Sequence, residues 1–356
     1  MNPAISLSLL ALPRHIALMA GLAIFSAIIV RAMVTAGVPD HPAARKAHSH
    51  VTPKSGGVGI VAAFMLGVLL LHRYGQVSRI AEGYFLGVIG AAFLMAGVSF
   101  LDDLLDLSFV IKLSGQFAAG IAAIAAGLWM PTLALPYYGV LNLGWAGIPL
   151  TLLFLLFVTN AMNFIDGLNG LAAGVTLITC LFLAGIAGRY GGFFIYTASL
   201  LLAGGVLGFL PFNFPRARIF MGDVGSQFCG FMLALFGVAA TRFEGAPLSF
   251  LLVPLLLSGV LYDVSFTLIR RLLAGENIAR AHNGHLYQVV RRAGMDARMV
   301  AMLHWGFTVL GGVCALVFLS LPPAWKPPLL LLPLAVQIGW TIYVFRRARV
   351  ANIGAW

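Results

Sequence analysis

Charge is what this sequence has least of. Asp, Glu, Lys and Arg make up 9% of its 356 residues, where an ordinary soluble domain carries about 25%. So few charges cannot cover a chain that is 61% apolar, and a mean hydropathy of +0.98 excludes a soluble domain. Cysteine is almost as scarce. Cys180, Cys229 and Cys314 all sit in apolar runs and include no pair at metal-ligand spacing, which leaves plain packing as their role. No small-residue cleavage site precedes the first long apolar run, so signal-peptide removal is not expected and that run stays as the first helix. The polar and apolar alternation of a transmembrane barrel is missing from runs such as Leu152 to Val158, so helices are expected.

What is present is apolar length. The apolar fraction suffices for about ten or eleven helices of about 20 residues. The runs predict an all-α polytopic transmembrane bundle with spans near 15–35, 56–72, 80–101, 109–129, 147–165, 169–187, 192–211, 225–241, 248–270, 299–320 and 326–346. No internal repeat is visible, and the whole chain, 1–356, reads as one domain. Assigning alternate loops to opposite sides puts sixteen of the 22 cations on one face, which the positive-inside rule makes cytoplasmic, with the N-terminus outside and the C-terminus inside. The net charge of +11 is scattered through these loops, so it argues for lipid headgroups and against nucleic acid. Gly204 and Gly208 stand at the four-residue spacing that lets membrane helices approach closely. Residues 130–148 carry two tyrosines and a tryptophan and read as an outer cap or aromatic belt.

Acids have no topological reason to choose a side, yet nine of the eleven fall on the cytoplasmic face or in the inner half of a helix. That bias marks a site. Asp102, Asp103 and Asp106, in SFLDDLLDLS, fall within about a 100° arc if the helix continues through them. Three carboxylates so close repel each other unless a cation sits among them, and a divalent metal is the economical answer; a solvated helix end is the alternative. Asn160, Asn163 and Asp166, in NAMNFIDGLNG, put two amides and a carboxylate on an apolar span, suited to a nucleotide or metal, with an interhelical polar zipper as the alternative. Asp223, in MGDVGS, is a glycine-flanked acid at a helix start. The amides there favour phosphate and the acid can hold the accompanying magnesium, although Asp223 and Ser226 also suit an ordinary N-cap.

Asp263 lies inside the ninth span, where an acid is functional by default; an ion pair with Arg270, seven residues on, is the alternative. Two loops complete this face: the first carries His41, Arg45, Lys46, His48, His50 and Lys54, the second Arg280, His282, Asn283, His285, Tyr287 and Gln288. Their spacing does not match a zinc protease. Cationic and imidazole groups for phosphate or sugar fit better, with lipid headgroups as the alternative for Arg45, Lys46, Arg291 and Arg292.

The first loop ending TPKSGG, then DDLLDLS, NAMNFIDGLNGLAAG, GDVGS and HNGHLYQ, in this order across nearly the whole chain, resemble the polyprenyl-phosphate N-acetylhexosamine-1-phosphate transferase family. The resemblance implies transfer of a sugar-1-phosphate from a UDP-N-acetylhexosamine to undecaprenyl phosphate in the bacterial inner membrane, with release of UMP. It implies magnesium, with manganese as an alternative, held by Asp223, Asp102 and Asp103. Asp102, Asp103, Asp106, Asp166 and Asp263 form the candidate catalytic set, and His48, Lys54, Asn160, Asn163, Arg280, His282, His285, Tyr287 and Gln288 the candidate substrate-binding set. A homodimer is left open. The triple-histidine loop of the peptidoglycan branch, which moves phospho-N-acetylmuramoyl-pentapeptide, is absent, so HNGH looks more like an initiator of O-antigen or capsule synthesis. Outside this class, an ion-coupled secondary transporter is the competing expectation.

Overall fold

The structure, a computed structural model, describes residues 12–36, 39–40, 52–74, 82–242, 248–277 and 282–354. Helices dominate because the apolar runs leave no other way to satisfy backbone groups inside lipid. In chain order they are α1 (Leu12–Ala36), α2 (Gly57–Tyr74), α3 (Glu82–Leu105), α4 (Phe109–Ala125), α5 (Gly147–Ile165), α6 (Leu171–Tyr190), α7 (Phe193–Asn213) and α8 (Gly222–Ala239). Then follow α9 (Leu252–Leu256), α10 (Ser258–Leu273), α11 (Leu286–Arg292), α12 (Ala297–Ser320) and α13 (Lys326–Val350).

Among the described residues nine helices are long and apolar enough to cross a membrane: α1, α2, α3, α5, α6, α7, α8, α12 and α13. The other two of the eleven expected spans differ. Helix α4 has only 17 residues, and the expected span over 248–270 is broken into α9 and α10 at Leu257. Helix α12 closes on the break through Gly311, where a Cβ would lie 2.1 Å from the Leu255 carbonyl.

Helix α8 is the axis of the bundle, buried at every residue from Val224 to Ala239. The small residues behave as their spacing suggested: a Cβ on Gly204 would lie 3.0 Å from Met19 O and one on Gly208 2.1 Å from Ala23 O, so α7 packs directly against the backbone of α1. The three cysteines are free and buried.

Two short antiparallel pairs interrupt the helices. Strands β1 (Pro39–Asp40) and β2 (Thr52–Pro53) pair with Asp40 opposite Thr52. Strands β3 (Thr132–Leu135) and β4 (Gly139–Asn142) form a hairpin between α4 and α5. This hairpin holds Tyr137 and Tyr138, exposed with nearby Trp145, so the aromatic cap is a folded ribbon. It lies at the end of the bundle opposite the acids, because the acids sit where α3 and α5 end and where α4 and α8 begin.

Candidate active site

Lys112 stands at the centre of the acidic cluster. It is the only charged residue of α4, and its ammonium makes ion pairs with Asp102 and, at 3.3 Å, with Asp223. A cation does sit among the carboxylates, and it is a side chain, where the sequence reading expected a divalent metal. Read as a topology-setting cation, Lys112 was missed as a site residue. A lone lysine in an apolar helix, ten residues after a buried aspartate, was the available signal.

The carboxylates divide by what already holds them. Asp103, 3% exposed, accepts the backbone N–H groups of Asp223 at 2.9 Å and Val224 at 3.3 Å, and the Ser55 hydroxyl at 3.1 Å. It caps α8 from another helix, which corrects one expectation: the first amides of α8 are already taken by this carboxylate and are not open to phosphate. Asp223 lies inside the first turn of α8 and does not cap it. Its carboxylate accepts Nδ2 of Asn163 at 3.0 Å and Nε2 of Gln227 at 3.0 Å, besides the Lys112 ammonium. Asp102 accepts the Leu107 N–H at 2.9 Å. Asp106 is a correction too: α3 ends at Leu105, Asp106 takes a left-handed φ of 47°, and its side chain, 93% exposed, meets Lys54 at 3.3 Å. It stands on the rim, outside the expected arc.

Asp166 follows the last residue of α5 and is half-buried. Among the described residues no hydrogen bond or ion pair holds its carboxylate. Burial, and then the charges of Asp223 and Asp103, push its pKa well above the ordinary carboxylate range. Four carboxylates thus share one end of the bundle with one contacting ammonium, and one of them has no donor. That surplus of hard oxygen donors fits a magnesium-type ion, which prefers carboxylates and water. Among the described residues no three His, Cys, Asp or Glu side chains are already arranged as a closed metal site, so a divalent ion here would complete its shell with water or substrate.

Behind the acids a buried polar network ties four helices together. Ser99 and Gln116 both donate to Gln227 Oε1, at 3.1 and 3.0 Å, and Asn160 donates to Gln116 Oε1 at 2.7 Å and to the Leu156 carbonyl at 2.8 Å. Asn160 therefore makes the interhelical zipper contact. Asn163 reaches the site through Asp223 and the Ser226 hydroxyl. The first loop closes over the α8 start with backbone bonds from Gly56 to Phe220 and from Gly57 to Met221. This places Ser55 and Lys54 beside the acids.

The late loop is also resolved into roles. His285, 3% exposed, and Tyr287, 1% exposed, point inward. Tyr287 donates its hydroxyl to the Phe164 carbonyl at 2.8 Å, two residues before Asp166. Gln288 accepts the His285 N–H at 3.2 Å and donates to the Tyr287 oxygen at 3.1 Å. These three hold the loop, and His282 and Asn283 are partly exposed polar groups beside them. His282 is pushed down to about 4 by burial first and then by His285, Arg271 and Arg270, so at neutral pH it is an uncharged donor and acceptor. Asp263 does not pair with Arg270 as the helical spacing suggested; it turns toward His285. His48 and Arg280 lie outside the described residues, as do His41, Arg45, Lys46 and His50.

Comparison with known proteins gives this geometry its relatives. Residues 85–241, which hold Asp102, Asp103, Lys112, Asp166 and Asp223, match the family model described as glycosyl transferase family 4. The chain is 31% identical over 299 residues, 83% of its own length and 82% of the relative's, to a probable undecaprenyl-phosphate N-acetylglucosaminyl 1-phosphate transferase of Bacillus subtilis. It is 31% identical over 313 residues, 79% of its length and 76% of the relative's, to the decaprenyl-phosphate N-acetylglucosaminephosphotransferase of Mycobacterium tuberculosis. A phospho-N-acetylmuramoyl-pentapeptide-transferase of Moorella thermoacetica is 34% identical over 223 residues, 59% of the chain and 66% of the relative. This multi-pass membrane protein belongs to the polyprenyl-phosphate N-acetylhexosamine-1-phosphate transferase family.

Proposed function

We propose that the protein transfers N-acetylhexosamine-1-phosphate from a UDP-sugar to a polyprenyl phosphate, undecaprenyl phosphate in a bacterial cytoplasmic membrane, releasing UMP. The observation that carries this is the cluster of Asp102, Asp103, Asp166 and Asp223 around Lys112, with Asp166 lacking a donor among the described residues. Two polyanions, a lipid phosphate and a nucleotide diphosphate, meet in this reaction, and a site poised to take a divalent cation offsets their repulsion.

Magnesium, or manganese in its place, would be held by Asp223 and Asp166 and would supply charge neutralisation on the diphosphate. The chain's own residues do the rest. Lys112 bridges Asp102 and Asp223 and keeps a positive charge beside the reacting phosphates. Asn163 and Gln227 fix the rotamer of Asp223. Lys54 offers a cation at the rim, where an incoming phosphate first meets the protein. A phosphate monoester has a second pKa of about 6, so the lipid nucleophile is largely dianionic at neutral pH and needs no strong base. Its oxygen bonds to the sugar-bearing phosphorus as the bond to the UMP oxygen breaks.

The donor favoured is UDP-N-acetylglucosamine, since the relatives named for that sugar align over 79% and 83% of this chain and the muramoyl-pentapeptide relative over 59%. The lipid-diphosphate-sugar would then initiate a surface polysaccharide of the O-antigen or capsule kind. The cation bias supports an active site and C-terminus on the cytoplasmic side and an N-terminus outside. An ion-coupled transporter is less favoured, because the intramembrane acid Asp263 already accepts four hydrogen bonds from the protein itself.

The test is to incubate purified protein with magnesium, undecaprenyl phosphate and a panel of UDP-sugars, and to weigh the lipid product. The expected mass is that of undecaprenyl diphosphate carrying one N-acetylhexosamine, formed fastest from UDP-N-acetylglucosamine. A transporter yields no such lipid.

A further inference from the structure

Asp263 of α10 is one of the most buried charged groups in the described residues, at 1% exposure. A carboxylate offers about four acceptor positions, and here four donors meet it. Oδ1 accepts the Leu286 N–H at 2.9 Å, the Thr267 hydroxyl at 3.2 Å and Nδ1 of His285 at 3.3 Å; Oδ2 accepts the Tyr287 N–H at 3.1 Å. Nδ1 is the His285 ring nitrogen that faces the carboxylate. Oδ1 is fully engaged, and the one acceptor position left on Oδ2 is closed off from solvent.

Three of these donors, at His285, Leu286 and Tyr287, come from the start of α11, which follows the loop bearing His282 and Asn283; Thr267 belongs to α10 itself. Helix α11 is a single short element of seven residues and cannot fix its own position. Its start is set from outside, by a carboxylate on another helix. From there the connection runs to the acidic cluster: Tyr287, whose N–H is on Asp263, donates its hydroxyl to Phe164 O, and a Cβ on Gly167 would lie 2.3 Å from that hydroxyl. One buried side chain therefore fixes both the loop at 282–285 and its register against the end of α5, where Asp166 stands.

We infer that Asp263 is a positioning residue that sets donor-sugar binding through the 282–288 segment, and that it takes no part in the chemistry at phosphorus. The inference rests on the proposed use of a UDP-sugar for its kinetic half only. Its structural half is read independently.

The experiment uses full-length Asp263→Asn, which keeps volume and loses two of the acceptor positions. Two quantities are measured: amide hydrogen exchange over residues 282–292, and KM and kcat for the UDP-sugar. Loss of hydrogen bonds to a buried charge predicts exchange at 285–288 faster by at least about tenfold, with the spans unchanged. KM for the UDP-sugar rises by about tenfold or more, while kcat falls less than about threefold. Loss of kcat by about a hundredfold with exchange unchanged would overturn the inference in favour of a chemical role. Unchanged exchange and unchanged KM would overturn it outright. If Asp263→Asn does not insert and fold, Thr267→Val removes one donor at nearly constant volume, and the same two shifts at smaller amplitude are expected; their absence counts against the inference. If wild-type protein turns over no UDP-sugar, the functional proposal fails, and the exchange result still decides whether Asp263 holds the segment.

Discussion

The Asp103 carboxylate of α3 accepts the backbone N–H of Asp223 in α8 at 2.9 Å, across 120 residues of sequence. A helix start buried in a membrane protein leaves N–H groups that water cannot reach, so α8 is capped by another helix and the two acidic motifs are locked in one geometry. Replacing Asp103 by Asn keeps an acceptor and removes the charge. The expected cost is about 1–3 kcal/mol, seen as a lower thermal midpoint of the purified protein, together with reduced turnover. An unchanged midpoint would mean that the cap contributes nothing.

Gly222 belongs to the same joint. Its φ of 74° is left-handed, and an added Cβ would lie 2.4 Å from Asp103 Oδ2. Gly222→Ala should therefore lower stability and turnover together, with at least about 1 kcal/mol from the backbone alone. Thermal inactivation and steady-state rates on the same preparation check this.

Lys112 bridges Asp102 and Asp223, so Lys112→Met leaves two carboxylates facing each other. Two shifts of opposite sense are expected. Turnover falls by about a hundredfold, as charge stabilisation at the phosphates is lost, while the divalent-ion concentration for half-maximal activity decreases, because the site has become more negative. A magnesium titration of both proteins measures both, and a raised magnesium requirement would show that Lys112 does not compete for the same charge.

His282 gives a pH prediction whose sign is fixed. Its pKa falls from an ordinary 6.5 to about 4 on folding, so the unfolded chain binds a proton in that window that the folded chain does not. Its contribution to stability is complete above 6.5 and declines as pH falls from 6.5 toward 4. Thermal midpoints of wild type and His282→Gln should converge on acidification through this range. Parallel profiles would place the histidine in a solvated environment.

The apolar runs made the bundle legible, and acids among them made its site legible, because lipid tolerates a carboxylate only where something holds it. Long-range partners were not. Nothing local in DDLLDLS tells that Asp103 caps a helix starting at Gly222, or that Asp263 reaches forward to His285 instead of along its own helix to Arg270. Asp106 was misplaced by extending α3 one residue too far, although Ser108, the N-cap of α4, marks a new helix start just beyond. The sequence shows the chemistry of His285 and Tyr287 and hides their burial.

The most direct test of the account is UMP release by the purified protein, measured with UDP-N-acetylglucosamine, undecaprenyl phosphate and magnesium together and with each left out, for wild type and for Asp223→Asn. The account predicts sustained release only when all three are present, and a fall of at least about a hundredfold in the variant. Release that continues without a divalent ion, or that is unchanged in Asp223→Asn, would contradict it.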